Sequence, residues 1–133
     1  MKQILLVLVT FSLSLDAMAQ AKPTEEQIGR AYGQAVTKAT LLGETLVLME
    51  KQCPKLATAT DYRELLAKDR ARLAKLEPNF EKLVSALVPV TTDKLIESDG
   101  GCDSAKLKDR HAKMSENFAE EALGLLQGSW LPR

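Results

Sequence analysis

The chain has 133 residues, 45% of them hydrophobic, with 18 basic and 18 acidic side chains and a formal net charge of zero. Neutrality removes the basic footprint that nucleic-acid binding requires and offers anionic membrane surfaces no attraction. The aromatic residues after position 19 (Tyr32, Tyr62, Phe80, Phe118 and Trp130) are scattered and form no base-stacking platform.

Residues 1–19 have the form of a cleaved secretory signal. Lys2 supplies the positive start, Ile4 to Leu15 is mostly apolar, and Ala17-Met18-Ala19 ends in a small-x-small pattern. The apolar stretch is shorter than the roughly 20 residues a membrane span needs, and no cysteine adjoins the cleavage point to carry a lipid. The expectation is a single helical domain over residues 20–133, periplasmic or secreted, without integral membrane insertion. Its length suffices for about two thirds of the unfolded surface to be buried.

Thr24 opens the first helix. Gln27 stands at capping-box spacing, and Glu25 and Glu26 suit the positive end of the helix dipole. Ile28, Tyr32, Ala35, Ala39, Leu42, Leu46, Met49 and Cys53 follow in a 4-3 heptad seam. Pro54 closes the run, which predicts a helix over 24–52. Asp61 and Glu64 mark a second cap, and Tyr62, Leu65, Leu66, Leu73 and Leu76 give the second helix its apolar face. Asp69 falls on the strict seam, so that face is broader or rotated there. Pro78 divides this segment (61–77) from the next (78–88), in which Phe80, Leu83, Val84 and Leu87 keep the helical period as far as Pro89.

Thr92 to Ser98 reads as a further turn or two, ended by Gly100 and Gly101. Ser104 caps the last long helix. Leu107, His111, Met114, Phe118, Ala122 and Leu125 form its inner stripe, and Gly128 is its stop. No strand-like alternation or internal repeat interrupts this pattern. The expected fold is all-α, a small antiparallel bundle of about four main helical segments stapled by one disulfide.

Cys53 follows the first helix and Cys102 precedes the last, which puts both at one end of an up-down bundle. An exported chain meets conditions in which their disulfide persists. C-x-x-C redox spacing and paired zinc-ligand spacing are both absent, so no metal site is expected. His111, the one histidine, reads as a partly buried residue with a hydrogen bond. Its alternative is a haem ligand facing Met49 from the first helix, at similar depth below the disulfide. No cofactor is expected otherwise.

Ser115 lies one turn from His111, but the pair lacks an elbow and an oxyanion hole, so no catalytic residue is assigned. Glu44, Glu50, Glu120 and Glu121 read as solvated surface. Their alternative is a carboxylate pair of an envelope-acting hydrolase.

Gly29, Gly33 and Gly43 sit inside the first helix, where each costs about 1 kcal/mol relative to alanine. Gly29 and Gly33 are a turn apart. They serve either a close contact within the chain or a groove for a partner helix. Trp130 and Leu131 lie beyond the last helix stop and either fold back on the bundle or present an anchor. The functional expectation is a non-enzymatic protein that binds another extracytoplasmic protein, as a chaperone, adaptor, or inhibitor or immunity-type protein, with a homodimer as a further form. Gly29, Gly33, Trp130 and Leu131 are the candidate contact residues. The alternative is a carrier of haem or lipid.

Overall fold

The computed structural model describes residues 22–132, so the expected signal lies outside the described residues. Those described are helical throughout. Helix α1 (Glu25–Gln52) leads through a 3-10 turn (Pro54–Leu56) to α2 (Tyr62–Leu76), α3 (Phe80–Ser98) and α4 (Ala105–Gln127). Three of the four helix starts carry the caps the sequence marks, while α3 begins at Phe80, two residues after the start expected at Pro78 and without a side-chain cap. The Thr24 hydroxyl accepts from the Gln27 N–H at 3.1 Å, and the Gln27 side chain accepts from the Thr24 N–H at 2.9 Å. Asp61 accepts from the Glu64 N–H, and Ser104 from the N–H groups of Lys106 and Leu107. These contacts satisfy donors that a helix start otherwise leaves free. Gly128 ends α4 in the left-handed conformation (φ 73°).

The expected break at Pro89 is corrected: α3 runs on through it, and the turn expected at Thr92 to Ser98 is part of the same helix. Proline removes the N–H that would bond the Ser85 carbonyl. Both Ser85 and Pro89 are exposed, so water can take the missing bond's place. Below them, Val84, Val88 and Thr92 remain buried, and the Thr92 hydroxyl donates to the Val88 carbonyl at 2.7 Å.

Helix α1 is the common partner. Each of the other three long helices packs on it, and α2 and α3 also meet across their turn. Its buried positions are Tyr32, Val36, Ala39, Thr40, Gly43, Thr45, Leu46 and Met49. That face is wider than the heptad seam, because three neighbours cover more of a helix than one does. Burying a large apolar side chain fully stabilises by roughly 1.5–3 kcal/mol. Phe118 of α4 lies over Gly43, where an added Cβ would come within 2.8 Å of its ring. Glycine is therefore required there for close approach. Tyr62 meets Phe118 edge-on with ring centroids 5.0 Å apart.

The expected disulfide is present. Cys53 and Cys102 bond with Cα atoms 5.3 Å apart, over Met49, Leu56 and Leu107. Beside it, buried Asp99 at the end of α3 takes a two-pronged contact from Arg110 of α4. The guanidinium holds the Asp99 carboxyl below the usual range.

Several apolar residues expected to face inward do not. Leu65, Leu76, Leu83 and Leu87 are all exposed, while Leu66, Leu73, Phe80, Val84 and Val88 fill the core. The buried face of α2 centres on Tyr62, Leu66 and Leu73. Asp69, on the same side of the helix as Leu65 and Leu76, lies at the edge of that face and accepts the Tyr32 hydroxyl at 2.6 Å.

Candidate functional site

The exposed leucines at the α2–α3 corner border an open groove of about 750 Å³. Its floor is apolar, formed by Leu41 of α1, Leu73 and Leu76 of α2, and Phe80 and Leu83 of α3. Gly29 and Gly33 form the α1 wall. A Cβ built on Gly29 would meet nothing within 4 Å, and one on Gly33 would lie 3.7 Å from Leu73 Cδ1. Neither glycine is therefore required by packing within the chain, in contrast to Gly43. Arg30, Gln34 and Lys38 form one polar lip at successive turns of α1, and Glu77 stands on the other side. Arg30 pairs with Glu26 at 3.0 Å and Lys38 with Glu121 at 2.8 Å, but both cations remain largely exposed.

The sequence placed Gly29 and Gly33 on a possible groove but missed the residues that complete it. Leu73, Phe80 and Leu83 reach it only through the tertiary fold. One local signal was available: Leu76 is the last residue of α2, next to Glu77 and Pro78, where a helix end turns a side chain away from the core stripe.

Trp130 is folded back. It meets Tyr32 edge-on at 5.1 Å and packs against the cluster of Tyr32, Val36, Leu73 and Phe80. Leu131 follows it and is about half exposed. Burial, with the Asp69 hydrogen bond, pushes the Tyr32 phenol up to about 12. Arg72 lies over the same ring, 5.8 Å from its centroid.

Met49 is fully buried in the cluster under the disulfide. His111 is buried, with Nε2 3.4 Å from Oε2 of Glu50, longer than a strong hydrogen bond. Glu50 also accepts the Thr58 N–H at 2.7 Å, and the Thr58 hydroxyl lies 3.0 Å from the Tyr62 hydroxyl. Burial raises the Glu50 carboxyl, but the polar groups of Tyr62, Thr58 and His111 beside it outweigh burial and hold the carboxyl below its usual range. Ser115 is close to this cluster, its hydroxyl buried and without a partner. The arrangement ties the α1–α2 connection to α4.

Glu44 and Glu50 are thus not the solvated surface expected of them, with side chains 12% and 10% exposed. Glu44 bonds Arg63 and Arg70, and Arg70 also grips Glu81 through two nitrogens. Burial again pulls Glu44 upward, and the two arginines outweigh it, leaving its carboxyl below the ordinary value. Glu121 pairs with Lys38, and Glu120 is exposed. No group of three or more His, Cys, Asp or Glu among the described residues is placed to hold a metal ion.

These features define a disulfide-linked helical bundle with an apolar groove beside its central helix. No family model matches the chain, and no curated protein or solved structure matches it. No helix among the described residues is long and apolar enough to cross a membrane. That fact and the disulfide are both compatible with an extracytoplasmic protein.

Proposed function

We propose that this is an exported, non-enzymatic binding protein, and that its groove takes an apolar helical segment of another extracytoplasmic protein. One observation carries the reading: Gly29 and Gly33 lie inside a long helix where nothing among the described residues needs a missing side chain. Alanine would be the better helix former at both positions. The bare backbone opens onto Leu41, Leu73, Leu76, Phe80 and Leu83, the small-residue wall and apolar floor that helix-in-groove recognition uses.

Filling the wall tests this. Gly33→Leu, confirmed folded by circular dichroism, is expected to lower at least tenfold the amount of partner recovered with the protein from its extracytoplasmic fraction. Unchanged recovery overturns the proposal. The groove's volume also falls in the range of small-molecule sites, which favours a lipid chain as the second reading. Native mass spectrometry without reduction separates the two, since a lipid adds a few hundred daltons and a polypeptide adds thousands.

A further inference from the structure

A second apolar surface lies on α4. Leu123 and Leu126 are 51% and 85% exposed, more than the other large apolar side chains of α4 among the described residues. With exposed Ala119 they occupy positions i, i+4 and i+7, which share one helix face. Glu116 and Glu120, both exposed, flank that face. Neither is paired with a cation among the described residues. The C-terminal half of α4 is therefore an acidic amphipathic helix whose apolar stripe nothing among the described residues covers.

The groove presents the complement: an apolar floor that ends at Leu76 and Leu83, and a lip carrying Arg30 and Lys38. We infer that a second copy of this chain occupies the groove, with Leu123 and Leu126 of its α4 on the apolar floor and Glu116 and Glu120 beside Arg30 and Lys38. The charges favour this occupant: Arg30 and Lys38, although paired with Glu26 and Glu121, keep side chains 65% and 71% exposed, and the unpaired Glu116 and Glu120 of the second copy can share them. Each copy carries both elements, so a closed pair makes the contact twice. The inference rests on the groove being a helix-binding site and adds its regulation: self-association covers the groove until a partner displaces the second copy.

Sedimentation equilibrium of the disulfide-bonded chain, residues 20–133, at concentrations up to about 1 mM tests this, because so small a contact is of the weak, transient kind. Concentration-dependent association is expected. Leu126→Glu and Leu83→Glu, both at exposed positions, should each weaken it at least about tenfold by placing an unpaired charge in the contact. Mixing these two variants should restore association in part, since one of the two contacts of the mixed pair then joins an intact groove to an intact stripe. A chain that stays monomeric throughout, or association unchanged by either substitution, overturns the inference. Either result leaves the groove reading standing, because Gly33→Leu tests that reading through partner recovery. If Gly33→Leu leaves partner recovery unchanged while Leu83→Glu still abolishes self-association, the groove serves the second copy alone.

Discussion

A Cβ on Gly33 would lie 3.7 Å from Leu73 Cδ1, an ordinary van der Waals distance, whereas one on Gly43 would collide with Phe118 at 2.8 Å. Two glycines of one helix thus have opposite physical roles. Gly29→Ala and Gly33→Ala are expected to stabilise the fold by about 0.5–1 kcal/mol each, through helix propensity and a less flexible unfolded chain. Gly43→Ala is expected to destabilise by about 1–3 kcal/mol, because the Phe118 ring must move within a packed core. Urea denaturation of the three variants checks both signs.

The acid limit of stability follows from Glu44, Glu50, Glu81 and Asp99, whose carboxyls all lie below their ordinary values in the folded chain. A depressed carboxyl contributes stability that is complete above its unfolded pKa and is lost as pH falls through the folded one. Melting temperature should therefore hold from neutrality to about pH 5 and fall below the usual carboxylate range. Glu44→Gln, which removes the shared partner of Arg63 and Arg70, should cost about 2 kcal/mol at neutral pH and much less at about pH 3. A cost independent of pH would contradict the assignment.

The bundle end is closed by Trp130. Truncation after Gly128 should remove about 1–2 kcal/mol, less than for a fully buried tryptophan because the ring is only partly covered. Tyr32→Phe should cost about 1–2 kcal/mol, since it leaves Asp69 without its short hydrogen bond. Tryptophan fluorescence should shift to the red in Tyr32→Ala, which opens the ring to water. An unshifted spectrum would contradict the packing.

The disulfide joins residues 49 positions apart. The chain-entropy model assigns a loop of this length roughly 4 kcal/mol, and less where the unlinked chain keeps residual structure. The Cys53→Ser/Cys102→Ser double variant should remain helical, because Met49, Leu56 and Leu107 still pack beneath the site. Its urea midpoint should fall, and reducing agent should then have no further effect on it.

The starts of α1, α2 and α4, the stops of α1 and α4, and the disulfide were legible because each rests on local chemistry. Thr24, Asp61 and Ser104 cap, Pro54 and Gly128 stop, and the antiparallel order brings Cys53 to Cys102. Facing was less legible. Periodicity marks a stripe but not how many neighbours surround it, so Leu65, Leu76, Leu83 and Leu87 were expected inside. Pro89 misled because the rule against interior proline assumes a bond that must be replaced within the protein, whereas Ser85 and Pro89 lie on an exposed face of α3. Glu44 and Glu50 were read as surface because their partners, Arg63, Arg70 and His111, lie far away in the sequence. The groove was half legible: the glycine wall shows in a single helix, but its floor is assembled from three.

The central claim is that the face beside Gly29 and Gly33 is where another helix docks. The most direct measurement is photo-crosslinking in living cells, with a photoreactive residue placed at Gln34 on the groove lip or at exposed Lys68 on α2. The account predicts a discrete protein adduct from position 34 that is lost on Gly33→Leu and is absent from position 68. No adduct from position 34, or equal adducts from both positions, would contradict it.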